Sequence, residues 1–222
     1  MVNVFGHRLL YMGLFALLVT APAHAQFGRL WERTPMITVI SVDDRDPRHA
    51  LVEEAIAFWN RMLQEVDSGF RLGPAVRQAL PIPEEGLRTL SASIVGSRGS
   101  PVHVPPSLRG LPGDLTILLA DSDFVSFAGP FDPDGRRVVG IKGVSFRPLT
   151  LPNVALNVIA HEIGHAIGLG HNSDATKLMC GRPAPCRPDA FWSAEPKLFP
   201  LTDDEERRLR AMYPADWKPR AP

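Results

Sequence analysis

The stretch HEIGHAIGLGH, residues 161–171, places three histidines, one glutamate and three glycines in eleven residues directly after the apolar run LPNVALNVIA. His161 and His165 are four residues apart, so on an α-helix they lie on one face with Cβ atoms about 5–6 Å apart. Two imidazoles at this spacing can bind one zinc ion, and Glu162 at the edge of that face can act as a general base. The spacing therefore predicts a metal-binding helix.

The third histidine of the stretch needs a turn in the backbone. If the helix continued, His171 would lie about 240° around the axis from His165, too far away to join the site. Gly168 allows the chain to leave the helix through a left-handed conformation. We therefore expect a helix over HEIGHAI, a turn at GLGH, and His171 as the third ligand of one zinc ion.

Three histidine ligands leave a fourth zinc position open for water, which is the pattern of catalytic zinc sites. With Glu162 as general base for a zinc-activated water, the predicted reaction is hydrolysis of an amide. The function expected from these residues is that of a zinc-dependent endopeptidase, whose partner is a protein or peptide substrate.

The N-terminus predicts export. Residues 1–25 contain a twelve-residue apolar core, LLYMGLFALLVT, and end in the small-x-small pattern Ala23-His24-Ala25. This is the pattern of a secretory signal peptide, and its core is too short to span a bilayer. We expect a periplasmic or extracellular protein without a stable membrane anchor; a retained anchor is the alternative. The remaining chain divides into a short N-terminal segment over 26–34, a catalytic domain over 35–215 and a tail over 216–222.

Composition adds two expectations. The net charge is +0, so nothing favours nucleic acid as a partner, and we expect a monomer. Cys180 and Cys186 are the only cysteines, and an oxidising compartment favours a disulfide between them. Such a short loop gives a stabilisation of about 2 kcal/mol. The alternative is that Cys180 is a thiolate ligand or a redox switch.

Patterning upstream and downstream of the central helix indicates a single α+β domain. The β-branched run over 36–42 predicts a strand, and apolar residues at helical spacing predict a long amphipathic helix over 47–66. The run DLTILLA over 114–120 is apolar on both faces and indicates a central strand. A further strand is expected within 70–80, whereas the proline-rich regions 74–112 and 181–200 are expected to be rich in loops.

Two local motifs complete the secondary-structure prediction. The turn sequence Asp132-Pro133-Asp134-Gly135 lies between SFAG and RRVVGIKGVSF, which predicts an irregular β-hairpin. Near the end of the chain, Thr202 and Glu205 form a capping-box pattern in PLTDDEERRLRAMYP, which predicts a final helix.

HExxHxxGxxH followed by a methionine resembles the signature of the metzincin metalloproteases. Met179 lies eight residues after His171 in TKLMC, which is similar to the matrixin branch. The resemblance is strong over 153–179 and fair over 199–213. It implies a twisted, mostly parallel sheet with a long N-terminal helix, a central active-site helix and a C-terminal helix. It also implies that Met179 forms a Met-turn, the hydrophobic base beneath the zinc.

The chain departs from the matrixin pattern in several places. Cys180 and Gly181 stand where matrixins usually have an aromatic residue and a proline, so we expect the specificity pocket to be rebuilt around the disulfide. Matrixins usually hold a structural zinc through three histidines and an aspartate. After removal of 1–25, only His49 and His103 lie outside the motif, so we do not expect that site. Structural calcium would have to use aspartates from two loops, Asp121, Asp123, Asp132 and Asp134.

Latency is a further departure. Matrixin zymogens block the zinc with an upstream cysteine, and this sequence has none before Cys180. We expect an enzyme that is active once folded and metal-loaded, or restrained by a separate inhibitor.

Two other functions remain open at this stage. One is a zinc amidase acting on cell-wall peptides, since the motif reports bond chemistry better than substrate. The other is a non-catalytic zinc-containing binding protein, against which the presence of Glu162 argues. Specificity cannot be predicted: Phe191, Trp192 and Phe199 either line a pocket or pack the loop, and we expect packing.

Overall fold

The computed structural model describes residues 29–96, 102–131, 135–181, 185–193 and 195–220. The predicted signal peptide and two of the candidate calcium ligands, Asp132 and Asp134, lie outside this part of the chain. Within it, five strands and four α-helices follow one another in the order β1 (Ile37–Ser41), α1 (Arg48–Glu65), β2 (Ala75–Ala79), α2 (Glu84–Gly96), β3 (Leu115–Leu119), β4 (Phe127–Pro130), β5 (Arg137–Ile141), α3 (Pro152–Ala166) and α4 (Asp203–Met212). Short 3₁₀ turns occur at Pro106–Leu108 and Pro188–Phe191.

The strands form one sheet in the order β2-β1-β3-β5-β4. The pairings β1–β2, β1–β3 and β3–β5 are parallel, and β4 runs antiparallel to β5. β3 is therefore the central strand, as its apolar character on both faces predicts, and β4 and β5 form the predicted hairpin. The expected fold class, α+β with a mostly parallel sheet, a long first helix, a central helix and a closing helix, is confirmed.

The two faces of the sheet support different helices. Ile37, Val39 and Ile117 belong to a core shared with the apolar sides of α1, α3 and α4. Ile40 and Leu118, one residue out of phase, belong to a second core beneath α2. Because side chains alternate along a strand, each central strand contributes to both cores. The central helix α3 is thus enclosed between the sheet and its neighbours, and nearly all its side chains are buried.

The loop-rich prediction for 74–112 is wrong over α2, Glu84–Gly96. The many prolines of this region obscured a helical repeat, in which Leu87, Leu90 and Ile94 follow one another at spacings of three and four. Pro83 precedes the helix, where a missing backbone N–H has no cost. The prolines therefore mark the entry to this helix rather than an extended loop.

The predicted N-terminal segment and C-terminal tail both pack on the domain. Trp31 is 6% exposed and donates its indole N–H to Ala166 O at the end of α3, at 2.9 Å. Trp217 donates to Trp31 O at 3.3 Å and packs edge-on against Phe70. The two ends of the described chain therefore meet beside the last turn of α3. None of the helices in the described residues is long and apolar enough to cross a membrane.

Candidate metal centre

The central helix ends where the glycine predicts. α3 ends at Ala166, Ile167 is its C-cap residue, and Gly168 follows with φ +113°. Gly168 N donates to His165 O at 2.9 Å and Leu169 N donates to Gly164 O at 3.1 Å. These two bonds are the pair that defines a Schellman turn, which reverses the chain after the helix. The turn brings His171 back towards the helix.

The three histidines of the motif come together through the same ring atom. The Nε2–Nε2 distances are 3.0 Å between His161 and His165, 2.9 Å between His165 and His171, and 3.2 Å between His161 and His171. Around a tetrahedral zinc with bonds of about 2.0–2.1 Å, neighbouring nitrogens lie about 3.3 Å apart. The triad is therefore positioned for metal binding, and it is the one such group of three or more His, Cys, Asp or Glu side chains among the described residues.

The other ring nitrogens fix the tautomers. His161 Nδ1 lies 2.8 Å from Leu178 O, and His165 Nδ1 lies 2.8 Å from Leu169 O. Since a carbonyl oxygen only accepts hydrogen bonds, both Nδ1 atoms carry the proton and both Nε2 atoms present a lone pair. These lone pairs face one another and cannot satisfy one another. A cation at the point where they converge satisfies them, so the residues fit zinc.

Burial keeps these imidazoles neutral. It lowers the pKa of His161 well below its ordinary value and lowers that of His165 to about 4. Burial also lowers the pKa of His171, with the nearby charge of Arg187 acting in the same direction. Neutral imidazole is the form that binds a metal. His171 is the exposed member of the triad, so the site opens to solvent on its side.

Glu162 lies beside the first histidine of the triad and is only 7% exposed. Burial raises the pKa of its carboxyl to about 8, and the positive charge of Arg187 opposes this shift. A divalent cation bound by the adjacent triad would favour the carboxylate form further. The carboxyl is thus placed next to the metal-binding face without being one of the three converging ligands.

The strand-like segment after the triad holds His171 in place. Asn172 N donates to Met179 O and Gly181 N donates to Asn172 O, each at 2.9 Å. A Cβ on Gly181 would lie 2.3 Å from Cγ of His171, so only glycine allows the imidazole this close to the backbone. Sequence reasoning noted Gly181 only as a departure from the matrixin pattern, and its role in seating His171 was missed.

The final helix is tied to the same segment. Thr202 and Glu205 form the predicted capping box at the start of α4, which is confirmed. The buried Glu205 carboxylate also accepts a bond from Asn172 Nδ2 at 2.6 Å. The helix that closes the domain therefore supports the residue next to His171.

Met179 lies beneath the metal-binding helix. It is fully buried, and a Cβ on Gly164 would lie 2.5 Å from its sulfur. Gly164 stands between the two helical histidines, so the thioether packs against the helix at their level. Trp59 packs on the same glycine and donates its indole N–H to Ala160 O at 2.8 Å. The position agrees with a Met-turn, although its functional role stays a prediction.

The predicted disulfide is present between Cys180 and Cys186, with the Cα atoms 5.5 Å apart. Cys180 is therefore neither a thiolate ligand nor a free thiol. The residue after the disulfide, Arg187, turns its guanidinium towards the Met-turn, where it bonds the carbonyl oxygens of Leu178 and Cys180. Arg187 could not be singled out from the sequence, because a lone arginine in a proline-rich loop carries no pattern.

The segment that follows the disulfide is fastened again at its far end. Two asparagines on α3 act as backbone mimics there: Lys197 N donates to Asn153 Oδ1 at 2.9 Å, and Phe199 N donates to Asn157 Oδ1 at 3.1 Å. Asn157 Nδ2 also donates to Lys197 O at 2.6 Å.

The aromatic side chains of this loop differ in burial. Phe199 packs in the core as expected, but the same expectation is wrong for Phe191 and Trp192, which are 45% and 87% exposed.

The described calcium candidates already have cationic partners. Asp121 bonds the guanidinium of Arg48 at 3.1 Å, and Asp123 bonds Lys142 at 3.1 Å. Arg48 is 1% exposed and also donates to both oxygens of Asp46 and to the carbonyls of Leu119 and Ala120. This group, the Arg48 cluster, sits at the carboxyl end of β3. The oxygens of this cluster are of the kind that binds a metal cation, but here they bond the guanidinium of Arg48.

Comparisons with known proteins give matches to the segment that carries the metal centre. The family model of the matrixins matches residues 150–213. Matrix metalloproteinase-27 of Homo sapiens is 36% identical over 56 residues, which cover 25% of this chain and 9% of that protein. The Tupaia belangeri protein of the same name matches to the same extent. The chain thus aligns with less than a tenth of these relatives' length.

A solved structure, archaemetzincin from Methanopyrus kandleri, covers 88% of this chain and 98% of its own at a TM-score of 0.45 and 18% identity. The matrixin match spans α3, the triad, Met179 and α4, the segments that carry the motif in the sequence. The resemblance to the matrixins is therefore confirmed over residues 150–213. The family match covers the segment in which the triad converges.

Proposed function

We propose that the protein is an exported zinc-dependent endopeptidase, with His161, His165 and His171 as the zinc ligands and Glu162 as the general base. The convergence of three Nε2 atoms, each within 3.2 Å of the others, carries this proposal. His161 and His165 carry their protons on Nδ1, so their two Nε2 lone pairs cannot bond each other, whereas a divalent cation satisfies both. Three ligands of one type leave the open coordination position that distinguishes catalytic from structural zinc.

The chemistry divides between the metal and the chain. Zinc, when bound, supplies a Lewis acid that polarises a substrate carbonyl and makes water more acidic. Glu162 accepts a proton from the attacking water and returns it to the departing amine nitrogen. Its burial excludes bulk water from the carboxyl, which keeps the proton for the leaving group.

The open side of the triad is where substrate enters. His171 is exposed while His161 and His165 are buried, so a peptide reaches the metal from the His171 side. A matrix metalloproteinase is among the relatives of this segment, which supports a protein or peptide as substrate. The disulfide formed by Cys180 and Cys186 supports an oxidising, extracytoplasmic location.

Glu162→Gln tests the proposal because it removes the base and keeps the shape of the side chain. The purified wild type should cleave casein or a quenched peptide library, and a chelator should abolish this activity until zinc is restored. Glu162→Gln should lower the rate about 10²–10⁴-fold while the zinc content stays at one ion per chain.

The same assay separates the alternatives. Cleavage of muropeptides without proteolysis would identify a cell-wall amidase. Stoichiometric zinc binding with neither activity would identify a binding protein. Equal rates for the wild type and Glu162→Gln would remove Glu162 from the mechanism.

A further inference from the structure

Arg187 is a half-buried charge outside the motif, and the proposed reaction assigns it no proton transfer. It directly follows Cys186 of the disulfide, and its backbone lies in the left-handed region with φ +50°. A residue with a Cβ adopts this conformation only when its surroundings require it. Its N–H donates to Ala175 O at 2.6 Å, which holds the backbone in this conformation against the loop before the Met-turn.

The guanidinium bonds the Met-turn through a single nitrogen. Nη1 of Arg187 donates to Leu178 O, to Cys180 O at 3.2 Å and, more weakly, to Lys177 O at 3.4 Å. These carbonyls belong to residues on either side of Met179. The guanidinium therefore bonds several backbone oxygens of the Met-turn at once. These bonds fix the orientation of the peptide groups of the turn.

One of these oxygens also holds a zinc ligand. Leu178 O accepts the Nδ1–H of His161 at 2.8 Å. The partner of the distal nitrogen of a ligand histidine sets the tautomer and the orientation of the ring. Rotation of the Leu178 peptide would break the bond to Arg187 and the bond to His161 together. The guanidinium thus reaches the metal centre through one shared carbonyl.

We propose that Arg187 is a positioning residue for the metal centre, which fixes the Leu178 carbonyl and thereby holds the ring of His161 in its metal-binding orientation. The inference rests on the proposed function, since it takes His161 as a zinc ligand. The Cys180–Cys186 disulfide holds Arg187 near the Met-turn, because Cys186 is the residue directly before Arg187. Arg187 lies outside the HExxHxxGxxH motif, and its guanidinium bonds go to backbone carbonyl oxygens.

The test compares zinc affinity in three variants. Arg187→Met removes the donors and keeps a long apolar stem. Arg187→Lys returns donors on one nitrogen, the arrangement that the three Nη1 bonds require. Arg88→Met is the matched control, since Arg88 lies on α2, is exposed and pairs with Glu84. Zinc affinity is measured by competition with a chromophoric chelator, ligand geometry by the visible spectrum of the Co²⁺-substituted protein, and stability by urea unfolding of the metal-free protein.

We expect Arg187→Met to weaken zinc binding about 10–100-fold and to shift the cobalt absorption bands, because the outer partner of a ligand histidine has lost its support. Arg187→Lys should recover part of the affinity, and Arg88→Met should match the wild type. If Arg187→Met does not fold, Arg187→Gln takes its place.

Two results would overturn the inference. The first is wild-type zinc affinity and an unchanged cobalt spectrum in Arg187→Met. The second is a lower stability of the metal-free variant with unchanged affinity, which would assign Arg187 a purely structural role. A wild type that binds no zinc would instead overturn the proposed function and this inference with it.

Discussion

Two clusters of converging hydrogen-bond acceptors lie in the part of the chain that the structure describes, and one of the two includes its own cation. In the Arg48 cluster, carboxylate and carbonyl oxygens surround a guanidinium that belongs to the chain. In the triad, three imidazole nitrogens converge, and the protons of His161 and His165 are used on the far side of each ring. Converging acceptors in a protein interior need a positive centre. The first cluster is complete on folding, whereas the second is completed by a metal.

Removing the internal cation should have the largest effect on stability. Arg48→Met leaves Asp46 without its partner in the interior, where its side chain is 9% exposed. Loss of one member of a buried ion pair costs about 3–5 kcal/mol. We expect this decrease in urea unfolding of the metal-free protein, while zinc affinity stays near that of the wild type.

Arg45→Met is the control for this variant. Arg45 pairs with Asp43 in the same loop but is 87% exposed, so its loss should change the free energy of unfolding by less than about 1 kcal/mol. A parallel loss of zinc affinity in Arg48→Met would show that the two clusters are not independent.

Acid should destabilise the metal-free triad. Burial lowers the pKa of His165 to about 4 in the folded protein, against about 6.5 when unfolded. Between these values the unfolded chain binds the additional proton, so stability is complete above pH 6.5 and decreases as the pH falls. The expected slope is about 1.4 kcal/mol per pH unit for each such histidine.

Urea unfolding with a chelator present, repeated from pH 8 to pH 5, measures this slope. His165→Leu should make the dependence shallower by the contribution of one histidine. Identical slopes in the variant and the wild type would place the acid sensitivity elsewhere in the chain.

The turn that completes the triad should have a smaller effect. At φ +113°, Gly168→Ala forces a Cβ into a strained backbone conformation at a cost of about 1–2 kcal/mol. The turn also carries His171 and the Leu169 carbonyl that bonds His165, so zinc affinity should fall along with stability.

Gly170→Ala is the matched control, since a Cβ there meets nothing within 4 Å. It should leave zinc affinity unchanged. Equal behaviour of the two glycine variants in calorimetric zinc titration would contradict the role given to the Gly168 turn.

The smallest effect is expected at the rim of the Arg48 cluster. Asp121 bonds the buried guanidinium of Arg48, but the Asp121 side chain is 70% exposed. Water therefore replaces most of the electrostatic interaction that Asp121→Asn removes. We expect a change below about 1 kcal/mol in the free energy of unfolding. A loss as large as that of Arg48→Met would show that the exposed carboxylate, rather than Asp46, neutralises the arginine.

The metal-binding stretch could be interpreted from sequence because its geometry is local. A spacing of four on a helix and a glycine at the helix end place three rings within a few residues of chain. The sheet order could not be derived in this way, since β3 pairs with strands that lie far from it in the sequence. The matrixin resemblance implied a mostly parallel sheet but no strand order, which only the structure gives.

The residues that sequence reasoning missed act through tertiary contacts. Arg187 matters because a disulfide and a left-handed residue bring it to the Met-turn, and Gly181 matters because an imidazole approaches its backbone. Neither carries a periodic or compositional pattern. The helix α2 was missed for another reason: its apolar spacing was present, but the surrounding prolines were given more weight than the repeat.

The loop after the disulfide is fastened at both ends, by Arg187 at the Met-turn and by Asn153 and Asn157 at Lys197 and Phe199. The hydrogen bonds at one end go to backbone oxygens of the Met-turn, and those at the other end involve the backbone of residues 197 and 199. Neither set depends on the side chains between the two ends. Protein engineers can therefore vary the exposed positions 188, 189, 191 and 192 and keep Ala190, which is buried in the core. Libraries built there would vary the surface after the metal centre while both anchors keep the loop closed.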